Sequence, residues 1–246
     1  MERDALWWRK YSQGERQGMC NLYRITTNQQ AIRDFVAAIH DSIGNLEPSI
    51  DVYPDRPAPV VRNTDGGREL ASLTWGMPTP IGYLKSRDAP DTGVTNIRNT
   101  GSPHWRKWLG VENRCVVPAS AFSEYGQKPD PVTRRKPLHW FAIDETQPLF
   151  FFAGIWTPWR GTRGSSRTPR AGDHQLFAFL TTEPNGVVKP IHPKAMPAIL
   201  TTRNRSRPGW LPTGAKPRHC NGRFPTRSWC PLGRRPLPAP CRAFER

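Results

Sequence analysis

Apolar positions along the chain fall into one helical stripe and a series of short strand-like runs. In NQQAIRDFVAAIH, Ile32, Phe35, Val36 and Ile39 recur at spacings of three and four, and Asn28 stands where an N-cap belongs, so the segment reads as an amphipathic helix. Elsewhere the apolar residues cluster as APVVRN, ELASLTWGM, NRCVVPASAF, LHWFAI, LFFFAGIW and LFAFLTT, rich in β-branched and aromatic side chains and divided by Pro and Gly. One helix among many strand candidates predicts an α+β fold: a single β-rich domain with few helices. Internal repeats and heptads are absent from the sequence.

The same pattern divides the chain. Residues 1–18 are polar apart from a WW pair and hold no sustained period, which reads as an extension. Residues 19–202 carry the elements just named and make the expected domain. Residues 203–246 lose all periodicity, and their Pro- and Arg-rich composition cannot bury enough apolar surface to offset the entropy of ordering. The total length of 246 suits one domain with tails.

Charge changes this picture less than its size suggests. The formal net charge of +16 points to an anionic partner such as nucleic acid. Residues 203–246, however, hold 11 of the 36 Lys and Arg and one of the 20 acidic residues, leaving 25 basic against 19 acidic, or +6, for the remainder. The expected domain is only moderately basic. No apolar run approaches the ~20 residues that span a bilayer, and the opening MERDALWWRK lacks the apolar core of a secretory signal, so a cytoplasmic protein without membrane contact is expected. Five cysteines (positions 20, 115, 220, 230 and 241) form no CxxC pair and no Cys/His cluster of zinc spacing; reduced thiols, no metal and no cofactor are expected.

Four segments carry candidate chemistry: MCNLYRIT with Cys20, TNIRNT with Asn96 and Arg98, FSEY with Glu124, and KPIHPKAMPAILT with His192. In this order and spacing they resemble the SOS response-associated peptidase (SRAP) family. Its members begin Met-Cys, lose the Met, and carry an N-[AI]-R segment, a Pro-Ala-x-x-Phe/Tyr-x-Glu-Trp-like segment and an I-H-x-R-M-P segment. WGMPTP with Trp75 and AGIW with Trp156 also match family landmarks, and the resemblance spans about Met19 to Thr202. It implies an abasic-site processing protein of the SOS response that binds single-stranded DNA, acts as a monomer at the nucleoid and cross-links itself to the lesion. It also implies a peptidase that processes itself, with lyase activity at the abasic site.

An N-terminal cysteine offers two nucleophiles on adjacent carbons, an amine of reference pKa ~7.7–8.0 and a thiol of ~8.5. A 1,2-aminothiol traps aldehydes: the amine forms an imine and the thiolate closes a thiazolidine. An abasic sugar is such an aldehyde, masked as a hemiacetal that an acid/base group must open. The resemblance gives His192 that proton-transfer role. Glu124 would hold the amine and stabilise the cationic imine, Asn96 would bind the lesion and the cysteine main chain, and Arg98 would grip a flanking phosphate. Trp75, Trp105, Arg106 and Lys107 are candidates for base stacking and phosphate contact. Two other readings stay open: a cysteine peptidase or amidase using Cys20 and His192, and a non-catalytic basic DNA-binding module. Cys115 within RCVVP reads as a small core residue.

The chain departs from the family pattern in three places. Cys20 is preceded by nineteen residues, so its nitrogen is an amide unless translation starts at Met19 or the extension is cleaved; a start at Met19 is the simpler expectation. Ala121 and Tyr125 stand where Gly and Trp are usual, and Lys194-Ala195 where Arg directly precedes Met-Pro. Synonymous codons for Ala215 to Cys230, read from the third base of the first codon, permit EATALQRPLPDEVLV, similar to the EAKALQRPLPD-like segment with which the family continues. The tail from about Arg203 therefore reads as a frameshift product.

Overall fold

A computed structural model describes residues 20–38, 40–47, 50–84, 86, 89–200 and 230–232. The strand candidates become strands. In chain order these are β1 (Tyr23–Ile25), β2 (His40–Asp41), β3 (Ile50–Val52), β4 (Pro57–Thr64), β5 (Gly67–Trp75), β6 (Asn96–Ile97), β7 (Arg114–Ala119), β8 (Ala121–Tyr125), β9 (Leu138–Ala142), β10 (Phe150–Ser165), β11 (Thr168–Thr182), β12 (Met196–Pro197), β13 (Ile199–Leu200) and β14 (Cys230–Leu232). Among the described residues two short α-helices accompany them, α1 (Gln29–Val36) and α2 (Pro103–Arg106). The β-rich domain with few helices is thus observed, with less helix than an α+β label suggests. No helix among the described residues is long and apolar enough to cross a membrane.

Helix α1 starts as its sequence predicts, with the Asn28 side chain accepting from the Ala31 amide at 2.8 Å. It stops short of the expected His40. Ala37 turns into the left-handed region at φ 48°, and the Arg68 guanidinium donates to the Val36 carbonyl at 2.7 Å, satisfying an acceptor that the helix leaves open. His40 is instead the first residue of β2, paired with Glu69. Ile32 and Val36 of the apolar stripe are buried, while Ile39 lies outside the described residues.

Strands β4 and β5 join through Asp65-Gly66, with Thr64 opposite Gly67, and the positive φ of 116° that the reversal needs falls at Gly67. Neighbour follows neighbour through β5, β4, β7, β10 and β11, and β11 returns to β5 in parallel, with Leu176 opposite Thr74 and Phe177 opposite Trp75. That closing contact makes a five-stranded barrel without open edges among these strands. A second sheet, in the order β14-β9-β8-β1-β3, lies beside it. Its strand β14 falls in the tail that the sequence reads as a frameshift product; the rest of that tail lies outside the described residues, as do residues 1–19.

The core is aromatic. Phe152 lies 4.7 Å from Phe179 between ring centres, Phe179 5.1 Å from Trp75, and Trp75 5.1 Å from Tyr23, all four fully buried. Such offset and edge contacts add to the free energy of area burial. This cluster packs barrel against second sheet and underlies the start of β1. Polar hairpin residues escaped the sequence reading: β10 and β11 stay paired far beyond their apolar halves, from Gly154–Phe179 to Ser165–Thr168. Phe152→Ala is expected to lower unfolding free energy by about 3–5 kcal/mol, measured by the denaturant midpoint at unchanged slope. A loss under ~1 kcal/mol would show that the cluster is not the keystone of the core.

Candidate active site

Cys20 sits in extended backbone just before β1, and the strand pairing that seats β1 also seats it. Tyr23 and Arg24 pair with Phe122 and Ala121 of β8, and Arg24 also pairs on its other side with Asp51 of β3, reinforced by a guanidinium–carboxylate contact at 2.7 Å. The Leu22 carbonyl accepts from both the amide and the hydroxyl of Ser123, each at 3.0 Å. This double anchor sets the register one residue before Glu124.

Two side chains then converge on the main chain of Cys20. Its nitrogen donates to Glu124 Oε1 at 3.0 Å. Its carbonyl accepts from Asn96 Nδ2 at 3.0 Å, and the same amide donates to Thr95 Oγ1 at 2.9 Å. Its thiol donates to the Leu22 carbonyl at 3.5 Å. Asn96 reaches this position from β6, whose two residues pair with Phe179 and Leu180 of β11.

The electrostatics follow from burial. Glu124 is 1% exposed, and loss of water raises its carboxyl pKa from the ordinary 4.5 to about 8, against the opposing pull of the Cys20 N–H. Burial, and secondarily the Glu124 charge, push the Cys20 thiol well above its usual value, so in this form it is a protonated thiol.

His192 lies on the segment between β11 and β12. Its hydrogen bonds run within that segment: the amide donates to the Val188 carbonyl at 2.8 Å, and Nδ1 donates to the Ala195 carbonyl at 2.9 Å. With the proton of the neutral ring on Nδ1, Nε2 carries the lone pair available for chemistry. The segment leaves β11 after Thr182 and returns to pair Met196 and Pro197 with Thr182 and Thr181, adjacent in register to the Phe179–Leu180 pair that holds β6.

The structure thus joins Cys20, Asn96 and Glu124 directly, and brings His192 to the same end of β11. Arg98, partly exposed, pairs with the exposed Glu183 at that strand end. Arg106 and Lys107 are exposed, with the Lys107 ammonium 4.0 Å over the Trp108 ring. Both tryptophans proposed for base stacking need correction. Trp75 is wholly buried in the aromatic core with its indole N–H on the Thr95 carbonyl at 3.0 Å, and Trp105 is 6% exposed, packed against His104 and Trp108. Neither ring offers a face to a base. Among the described residues the large exposed apolar side chains are Ile81, Tyr83 and Val132, the first two in a turn between β5 and β6 that the sequence reading passed over; a Tyr among Pro and Gly was the available signal.

Comparison with known proteins gives the family and the fold. The sequence model of the SOS response associated peptidase (SRAP) family matches residues 19–224. The chain belongs to this family. Its match begins at the residue before Cys20 and takes in every site residue named above. The abasic site processing protein YoaM of Bacillus subtilis is 30% identical over 165 residues, which are 64% of this chain and 63% of that protein, so the chain spans under two thirds of its relative. A crystal structure of a protein from Bacteroides thetaiotaomicron shares the fold with a TM-score of 0.59 at 19% identity, covering 80% of this chain and 83% of that one. Another from Bordetella bronchiseptica gives 0.52 at 19% identity, covering 74% and 84%.

The Glu124 carboxyl makes stability depend on pH in a defined direction. Its proton leaves at 4.5 in the ordinary, unfolded situation and at about 8 in the folded chain, so between these values the native state binds the extra proton. Its contribution is complete below about 4.5 and is lost as pH rises through about 8. While the Cys20 nitrogen remains an amide, Tm is expected to fall from pH 5 to pH 8, and Glu124→Gln to flatten that fall. An identical slope in the variant would remove Glu124 as its cause.

Proposed function

We propose that this protein captures abasic sites in single-stranded DNA as a covalent thiazolidine, using the amine and thiol of Cys20 once Cys20 is the first residue. The observation that carries the reading is the 3.0 Å contact from the Cys20 nitrogen to the buried Glu124 carboxyl. A site built for a cysteine peptidase would place its base at sulfur. Here the acid/base group meets nitrogen, while the thiol rests on a main-chain carbonyl. The abasic-site activity in the name of the Bacillus relative supports the same substrate class.

The chemistry balances without redox. The Nε2 lone pair of His192 takes the proton of the anomeric hydroxyl and passes it to the ring oxygen, so that the ring C–O bond breaks as the aldehyde C=O forms. The neutral amine of Cys20 attacks the aldehyde carbon, and Glu124 passes the proton that nitrogen sheds to the new alkoxide, which becomes the carbinolamine hydroxyl. Returning a proton to the hydroxyl releases water and leaves an iminium, whose positive charge the carboxylate stabilises. The Cys20 thiol gives its proton to the Glu124 carboxylate as sulfur adds to the iminium carbon, nitrogen becomes a neutral amine, and the ring closes. Burial raises the Glu124 pKa and an α-ammonium at Cys20 draws it back down, so the carboxyl and the amine can exchange a proton across their contact. Asn96 fixes the Cys20 carbonyl and thereby the direction of the nitrogen lone pair. Arg98, Arg106 and Lys107 supply phosphate contacts, and Ile81 and Tyr83 offer the exposed faces on which unpaired bases stack.

Intact-mass spectrometry with an oligonucleotide bearing one abasic site tests the reading, comparing the chain as written with one whose translation starts at Met19. A covalent adduct is expected only when Cys20 is first, and none from its Cys20→Ser variant at comparable DNA affinity. An equal yield from a preparation whose Cys20 nitrogen is still an amide would overturn the aminothiol chemistry. Separately, Ile81→Ala with Tyr83→Ala is expected to weaken binding of undamaged single-stranded DNA by about tenfold, at ~1–3 kcal/mol per stacked base, without changing Tm. Unchanged binding in a fluorescence-anisotropy titration would take these two residues out of the DNA path.

A further inference from the structure

Arg163 lies near the tip of the β10–β11 hairpin, yet none of its surface reaches solvent. Its Nη2 donates to Asp55 Oδ1 at 3.1 Å and its Nη1 stands 3.9 Å from Asp91 Oδ1, while Nε and Nη1 have no hydrogen-bond partner. A buried cation with two unsatisfied donors is a poor device for stability, because an apolar side chain of similar volume avoids the desolvation cost. The geometry around it indicates what it does instead.

The segment between β5 and β6 folds over this guanidinium. Gly76 and Gly93 both take positive φ, 136° and 78°, and a Cβ built on either would lie 2.7 or 2.4 Å from an Arg163 nitrogen. Only glycine lets the main chain pass so close. Asp91, 5% exposed, ties the far side of the segment: its carboxylate accepts from the Thr79 amide at 2.8 Å, the Thr79 hydroxyl at 2.5 Å and the Gly93 amide at 2.7 Å. Its own amide donates to the Thr162 carbonyl, next to Arg163. Met77 and Val94 then bridge, the Trp75 indole holds the Thr95 carbonyl, and Asn96 follows with its amide on Cys20. Strand β6 is only two residues long, so its own pairing gives little hold.

We infer that Arg163 is a positioning residue, which through Asp91 and the two glycines fixes the segment that delivers Asn96 to the Cys20 carbonyl. It touches neither DNA nor the reacting atoms. Its catalytic consequence rests on the cross-linking reading above; its structural consequence does not.

Hydrogen exchange on the full chain tests the structural part. Arg163→Met is expected to speed exchange of the amides at Val94–Ile97 by about tenfold or more while Phe150–Phe152 of β10 stay as protected as before, and Arg163→Lys to restore part of the protection. Unchanged exchange at Val94–Ile97 overturns the inference. Should the Met variant fail to fold, Asp91→Asn is expected to loosen the same four residues, and protection there equal to the parent is likewise fatal. In single-turnover cross-linking with Cys20 first, Arg163→Met is expected to lower the saturating rate per folded molecule by about 10- to 100-fold at unchanged half-saturating DNA concentration. Adding Asn96→Ala should then cost little more, because the two act on one geometry; independent, multiplying losses would overturn the coupling. If the parent protein forms no adduct, the cross-linking reading fails and the exchange experiment alone decides the role of Arg163.

Discussion

A buried carboxyl group persists only where something holds it, and here the holder is the main-chain nitrogen of Cys20, 3.0 Å from Glu124. Much of the molecule serves that contact. The Ser123 pair on Leu22 sets its register, the β1–β8 ladder brings its two strands together with the Tyr23–Trp75–Phe179–Phe152 cluster packed around Tyr23 of β1, and burial keeps the carboxyl protonated near neutrality. The polar group and the apolar core are therefore one design. Without the core the carboxyl would be an ordinary acid, and without the carboxyl the nitrogen would face hydrocarbon unsatisfied.

The nature of that nitrogen decides the electrostatic state of the whole site. An amide offers one hydrogen bond and leaves Glu124 favouring its neutral form. An α-ammonium in the same place would be a full positive charge against the same oxygen, which favours the carboxylate and draws its pKa downward. Removing the preceding residues thus changes a neutral pair into an ion pair at a fixed address. The thiol responds as well, since a cation beside it favours thiolate where burial and the Glu124 charge oppose it.

Sequence patterning revealed the strands because their inner faces are apolar and β-branched, and it revealed Asn28 because an N-cap is a local device. Cys20, Asn96, Glu124 and His192 were legible only through four motifs taken together, since none of them stands out by type or spacing. What escaped had nonlocal causes. The end of α1 at Val36 depends on Arg68, thirty-two positions away along the chain. The polar half of the β10–β11 hairpin has no hydrophobic alternation to betray it, and the burial of Arg163 depends on two glycines and two aspartates from other segments. Trp75 and Trp105 show the converse: an aromatic residue in a basic protein invites a stacking role, but the fold spends both on packing.

The parallel contact between β5 and β11 has a temporal side. Thr74 meets Leu176 and Trp75 meets Phe177 across more than a hundred positions of chain, and Cys20 meets Glu124 across 104. Contacts of such separation form late, after the entropy of large loops has been overcome. During synthesis the cysteine emerges first, and the strand that closes the barrel beneath its site is among the last of the domain. For that interval the nascent chain carries its reactive residue without the carboxyl that restrains it. The Cys20 thiol is therefore exposed before the barrel beneath it exists, and the speed of barrel closure sets how long that exposure lasts.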